Sequence, residues 1–166
     1  MSGFPEELYT QYHGSLVRML HRRTGDLERA EELAQEVFAR AVAAPPRNPR
    51  PWLFAVALNL VREEGRRAVR RGRRLELYRA EQPSSAPSPD EPMLREERIG
   101  QVRKALGELS ERDREVLLLS AEGLSYDEIA ESTGLARGSI GTTLARARRR
   151  LVETYRAMEE KRDVAS

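Results

Sequence analysis

The chain has 166 residues, 34% charged and 39% hydrophobic, with a formal net charge of +2 and 5% aromatics, which suits one medium helical domain or two small ones. It has no cysteine, which excludes disulfides, zinc–thiolate sites and cysteine nucleophiles and leaves His13 and His21 as the imidazoles. No basic-then-apolar signal opens it, and the longest apolar run, Trp52 to Val61, is about half the ~20 residues of a membrane span, so the expected location is cytoplasmic.

From the N-terminus, Leu8, Tyr9, Tyr12, Leu16, Val17 and Leu20 recur at three- and four-residue spacing, the period of an amphipathic helix. After a break at Gly25, Ala30, Leu33, Ala34, Val37, Phe38 and Ala41 repeat the pattern in a second helix, whose segment from Asp26 to Glu36 carries five acids and one arginine. The prolines between Ala43 and Pro51 forbid helix, because each removes a donor and bends its predecessor away from helical geometry. Pro51 suits the first turn of a third helix with a buried stripe of Leu53, Val56, Ala57, Leu60 and Val61, running on to about Arg74. Between Arg47 and Arg79 there are ten arginines and three glutamates, a balance of +7. Seven of the arginines fall between positions 62 and 74 and repel one another unless an anion lies nearby.

Residues 79–93 hold Pro83, Pro87, Pro89 and Pro92 among polar residues and read as a flexible linker, able to stretch to about 45 Å. A second set of helices follows. Leu94, Ile99, Val102, Leu106 and Leu109 form one stripe; Ser110 with Asp113 and Ser125 with Glu128 have the spacing of capping boxes; Gly123 and Gly134 mark helix ends. The segment from Asp90 to Glu131 has a balance of −6, whereas Arg137 to Arg150 holds five arginines and no acid. Of the 29 basic residues 27 are arginine, the side chain that grips phosphates and guanine edges bidentately, although a GC-rich genome gives the same bias. The fold class is therefore all-α: two small helical domains, 1–78 and 94–166, joined by a flexible linker.

Ser125 to Ile140 has the layout of a helix-turn-helix, with small Ala130 at the crossing, Gly134 at the turn, and Ile129, Leu135, Ile140 and Leu144 holding the helices together. The second helix buries Ile140, Leu144, Ala147 and Leu151, which assigns Arg137, Ser139, Thr142, Thr143, Arg146 and Arg149 to a face suited to a major groove. Gly141 is discordant: mid-helix glycine costs ~1 kcal/mol relative to alanine.

Two blocks of the chain are similar to a known family. Leu109-Ser-Glu-Arg-Asp-Arg-Glu-Val-Leu-Leu-Leu, Gly123-Leu-Ser-Tyr-Asp-Glu-Ile-Ala and Leu144-Ala-Arg-Ala-Arg-Arg-Arg-Leu resemble domain four of extracytoplasmic-function (ECF) sigma factors. Thr24-Gly-Asp, Ala30-Glu-Glu-Leu-Ala-Gln-Glu-Val-Phe and Pro51-Trp-Leu-Phe-Ala-Val-Ala-Leu-Asn-Leu resemble domain two of the same family. The resemblance covers nearly the whole chain and implies a non-enzymatic subunit that joins core RNA polymerase and directs it to promoters, with no cofactor or metal.

It further implies that Asp26, Glu31, Glu32, Gln35 and Glu36 meet the polymerase clamp, a matter of complementary charge. Phe54 and Asn59 become candidates for a pocket that holds an unstacked base of the minus-ten element, with Trp52 beside them, although a tryptophan there also suits a core. Arg62, Arg66, Arg67, Arg70 and Arg71 would meet phosphates, and the Arg137–Arg149 face the minus-thirty-five element. A small anti-sigma protein is an expected partner. Ala55, Gly141 and Thr143 depart from residues common in the family. The competing reading is a helix-turn-helix regulator whose first half senses or dimerises and never joins polymerase. An enzyme is disfavoured, since no glycine-rich phosphate loop, metal-ligand cluster or nucleophile–base pair is visible.

Overall fold

The computed structural model describes residues 4–79 and 91–165, and among them finds helices and no strand. In chain order they are α1 (Phe4–Thr24), α2 (Leu27–Ala43), α3 (Pro49–Arg79), α4 (Glu91–Gly107), α5 (Glu111–Ala121), α6 (Tyr126–Thr133) and α7 (Arg137–Ala165). Residues 80–90, the centre of the expected linker, lie outside the described residues.

Local chemistry sets most boundaries. Gly25, at φ +77°, ends α1 in the left-handed region that favours glycine, with the movable Arg103 guanidinium beside it. Asp26 caps α2 by accepting from the Arg29 amide at 3.2 Å. α6 carries a complete capping box: Ser125 Oγ accepts from the Glu128 amide at 3.1 Å, and the Glu128 carboxylate accepts from the Ser125 amide at 2.9 Å. The expected box at α5 is only half formed. Ser110 Oγ accepts from the Asp113 amide at 3.2 Å, but the Asp113 carboxylate is fully buried and accepts instead from Arg146 of α7.

The α2 stripe is buried as its spacing predicts, against α1 and α3. The first three turns of α3 are buried nearly all round: Leu53, Phe54, Ala57, Leu58, Leu60 and Val61 are each at most 5% exposed. An amphipathic reading of α3 thus gives only part of its contacts. A helix apolar on every side is covered on every side, and here α1 and α2 cover one flank while α6 of the second half covers the other. One buried cluster consequently runs from Leu8 through Phe54 and Ile129 to Leu144. Ser132 Oγ, itself buried, donates to the Pro51 carbonyl at 2.8 Å across this contact.

In α4 the expected stripe is half realised. Leu106 is buried, as is Leu109 just beyond the helix, whereas Ile99 and Val102 are 53% and 40% exposed. α3 begins two residues before the expected Pro51 and extends five beyond Arg74. His13 is partly buried and stacks on Tyr9 at 4.4 Å, and His21 is partly buried beside Ile99, Val102 and Leu106.

Candidate nucleic-acid interface

On α2 the buried stripe turns Glu31, Glu32, Gln35 and Glu36 outward, and all four are exposed. Glu32 pairs with Arg29 at 2.6 Å and Glu36 with Arg40 at 2.9 Å, so part of this acidic face is neutralised within its own helix. Asp26 is exposed but serves as the helix cap. Gln35 borders an open groove with Tyr9, Phe38 and Val42; Tyr9 and Val42 are 45% and 56% exposed. The charge count directs attention to the acids and misses this apolar strip beside them.

On α3 the candidates separate. Phe54 is fully buried and cannot stack on a base; its ring fills the centre of the shared core, a correction to the pocket expectation. Trp52 is partly buried against the same cluster. Asn59 is exposed, and its Oδ1 accepts from Arg62 Nη1 at 3.1 Å. Arg62 does not face solvent as a phosphate contact. Its fork grips Glu115 of α5 at 2.6 and 2.5 Å, with Glu111 at 3.6 Å, and these bonds raise its pKa against the opposing effect of burial. Arg66, Arg67 and Arg70 are exposed, and the side chain of Arg71 lies outside the described residues.

On α7 the sequence-assigned face needs two corrections. Thr143 is 4% exposed and turns inward. Arg146 donates to Asp113 at 2.8 and 3.4 Å, so it ties α7 to α5. Arg137 pairs with Asp127 at 2.6 Å and lies 5.8 Å over the Tyr126 ring, and Ser139 Oγ donates to the Ala136 carbonyl at 2.8 Å. Thr142 and Arg149 are exposed, joined by Ala145 and Arg148, which the sequence reading left out. The spacing of Thr142, Ala145 and Arg149 by three and four was the available signal. Gly141 does not face outward: a Cβ on it would meet the Tyr126 ring at 3.4 Å.

A set of bonds between the halves also escaped the sequence reading. Arg18 and Arg22 hold Glu122 at 3.1 and 2.9 Å, and the Glu122 side chain is 3% exposed. Arg50 reaches Glu128 at 3.1 Å and the Gly123 carbonyl, and Asn48 donates to Glu131 at 3.1 Å.

Residues 8–71 match the family model described as Sigma-70 region 2, and residues 99–151 match Sigma-70, region 4. The RNA polymerase sigma factor YlaC of Bacillus subtilis is 31% identical over 95% of this chain and 95% of its own. The ECF RNA polymerase sigma factor SigL of Mycobacterium tuberculosis is 33% identical over 87% of this chain and 84% of its own. The chain belongs to the ECF sigma factors. As such it binds core RNA polymerase and promoter DNA and directs promoter-specific initiation, and the reading as a regulator outside polymerase is not favoured. Sigma factors are in general non-enzymatic. Among solved structures, the sigma factor RpoE bound to the anti-sigma factor NepR from Bartonella quintana is similar with TM-score 0.64 and 26% identity, over 91% of this chain and 96% of that one. CnrH in complex with the cytosolic domain of CnrY is similar with TM-score 0.65 and 25% identity, over 92% and 88%. Among the described residues no helix of this sigma factor is long and apolar enough to cross a membrane.

Proposed function

We propose that this ECF sigma factor divides its work by helix, residues 1–78 acting as domain two and 94–166 as domain four. The exposed acids of α2, with Asp26 at its start, and the apolar groove beside Gln35 meet polymerase. Asn59, with Trp52 on the same helix, and Arg66, Arg67, Arg70 and Arg71 of α3 engage the minus-ten element. Arg137, Ser139, Thr142, Arg148 and Arg149 of α7 engage the minus-thirty-five element. The chain itself performs no chemistry, works in the cytoplasm, and is held in check by an anti-sigma partner, a reading that the complexes of its two structural relatives support.

The observation that carries the proposal is that exposed arginines remain on two separate helices, α3 and α7, after internal ion pairs have claimed Arg62 and Arg146. Phosphate contacts set affinity and position, while side chains that reach base edges set sequence. Transcription reconstituted with core polymerase on a promoter library is the test. Arg149→Ala is expected to weaken use of the upstream element by about 1–3 kcal/mol where it meets a base, and by less and uniformly where it meets phosphate. Normal promoter use with all of Arg66, Arg67 and Arg70 replaced by glutamine would remove α3 from the proposal.

A further inference from the structure

Where α1, α3 and the start of α5 meet, a cleft of about 520 Å³ is lined by Arg23, Arg62, Arg66, Arg70 and Arg114, with Glu111 and Gly65. Five guanidiniums face one carboxylate along this lining. Arg62 is satisfied by Glu115 and Glu111. The same two acids are what offsets the charge of Arg23, whose pKa is lowered first by burial and then by repulsion from Arg114. Arg114 Nε is buried with no hydrogen-bond partner. Half-buried like charges that share acids already committed to another arginine lack a full counter-charge, and converging guanidiniums of which one nitrogen, Arg114 Nε, is left without a partner have the chemistry of an anion site.

We propose that this cleft binds a short inorganic polyphosphate, of the pyrophosphate or triphosphate class, and that the bound anion bridges the two halves. Several linked negative charges suit the four cations left beside the paired Arg62 better than a single phosphate does, and guanidinium forks bind phosphate oxygens bidentately. Among the described residues the lining has no aromatic or long apolar side chain, so a nucleoside attached to the phosphates gains nothing there to stack on. A DNA duplex reaches the exposed Arg66 and Arg70, while Arg23 and Arg114 are partly buried. Arg23, Arg62, Arg66 and Arg70 come from the first half and Arg114 from the second, so a ligand touching all of them favours the arrangement in which the halves are together.

The test is calorimetric titration of the full chain with sodium triphosphate at constant ionic strength. One site is expected, weakened roughly tenfold or more by Arg23→Gln and by Arg114→Gln, since each removes charge-assisted hydrogen bonds, and unaffected by Arg156→Gln. ATP is expected to bind no more tightly than triphosphate, and small-angle scattering is expected to show a smaller radius of gyration on titration, a response lost in Arg114→Gln. Should Arg114→Gln fail to fold by circular dichroism, Arg23→Gln, which is outside the residues assigned to promoter reading, carries the same expectation. Equal binding of sulfate, or affinity unchanged in both variants, overturns the proposal. A parallel loss of duplex DNA affinity in Arg114→Gln also overturns it, by making the cleft a seat for DNA. Promoter-dependent transcription without triphosphate separates this site from promoter reading: Arg23→Gln and Arg114→Gln are expected to retain it where Arg149→Ala does not, and its loss in them overturns the proposal.

Discussion

Two residues show how much a side chain's role depends on what lies across from it. Phe54 follows Trp52 and Leu53 in a helix that resembles a base-reading element, yet it is fully buried in the cluster that the two halves share. Phe54→Ala is expected to cost about 3–5 kcal/mol in denaturant unfolding, the range for an aromatic deleted from a packed core. Gly141, discordant in mid-helix, has its open side toward Tyr126 at ordinary contact distance. Gly141→Ala is therefore expected to raise stability by up to ~1 kcal/mol through helix propensity, measured as a higher unfolding midpoint. At Gly134, φ +80°, the sign reverses: alanine in that left-handed turn is expected to cost about 1–2 kcal/mol.

At the scale of elements, legibility followed how local the determinants were. The α2 stripe, with its three- and four-residue steps, the Ser125–Glu128 box and the Gly134 turn are each set by residues close together in the chain, and spacing reveals all of them. Asp113 kept the spacing of a box but was drawn to Arg146, 33 positions away, and Thr143 was misplaced because α7 is covered more widely than its leucines and isoleucine suggest. Periodicity gives no account of a partner that arrives from the far end of the chain. The same limit applied to Arg62, which is one of a run of arginines in sequence and a clasp on Glu115 in space. Glu115→Lys places a cation where Arg62 now finds its acid. The expected result is a larger radius of gyration by small-angle scattering, with helix content by circular dichroism preserved because each half keeps its own helix contacts.

For the whole molecule, the two opposed charge balances, +7 over Arg47 to Arg79 and −6 over Asp90 to Glu131, are joined in the fold, since Arg50 and Arg62 meet Glu128 and Glu115. Affinity for promoter DNA is expected to fall with salt at a slope of about −0.9 per phosphate neutralised, and removal of Arg66, Arg67 or Arg70 should lessen that slope by about one each in salt-titrated binding.

The Arg62–Glu115 bond carries a cost for recognition. A guanidinium already held by a carboxylate has to be released before a nucleotide strand can take it, so a contact from Arg62 to DNA is limited to the fraction of molecules whose clasp is undone. While the clasp is closed, Arg62 is therefore withheld from any strand that passes the surface of α3.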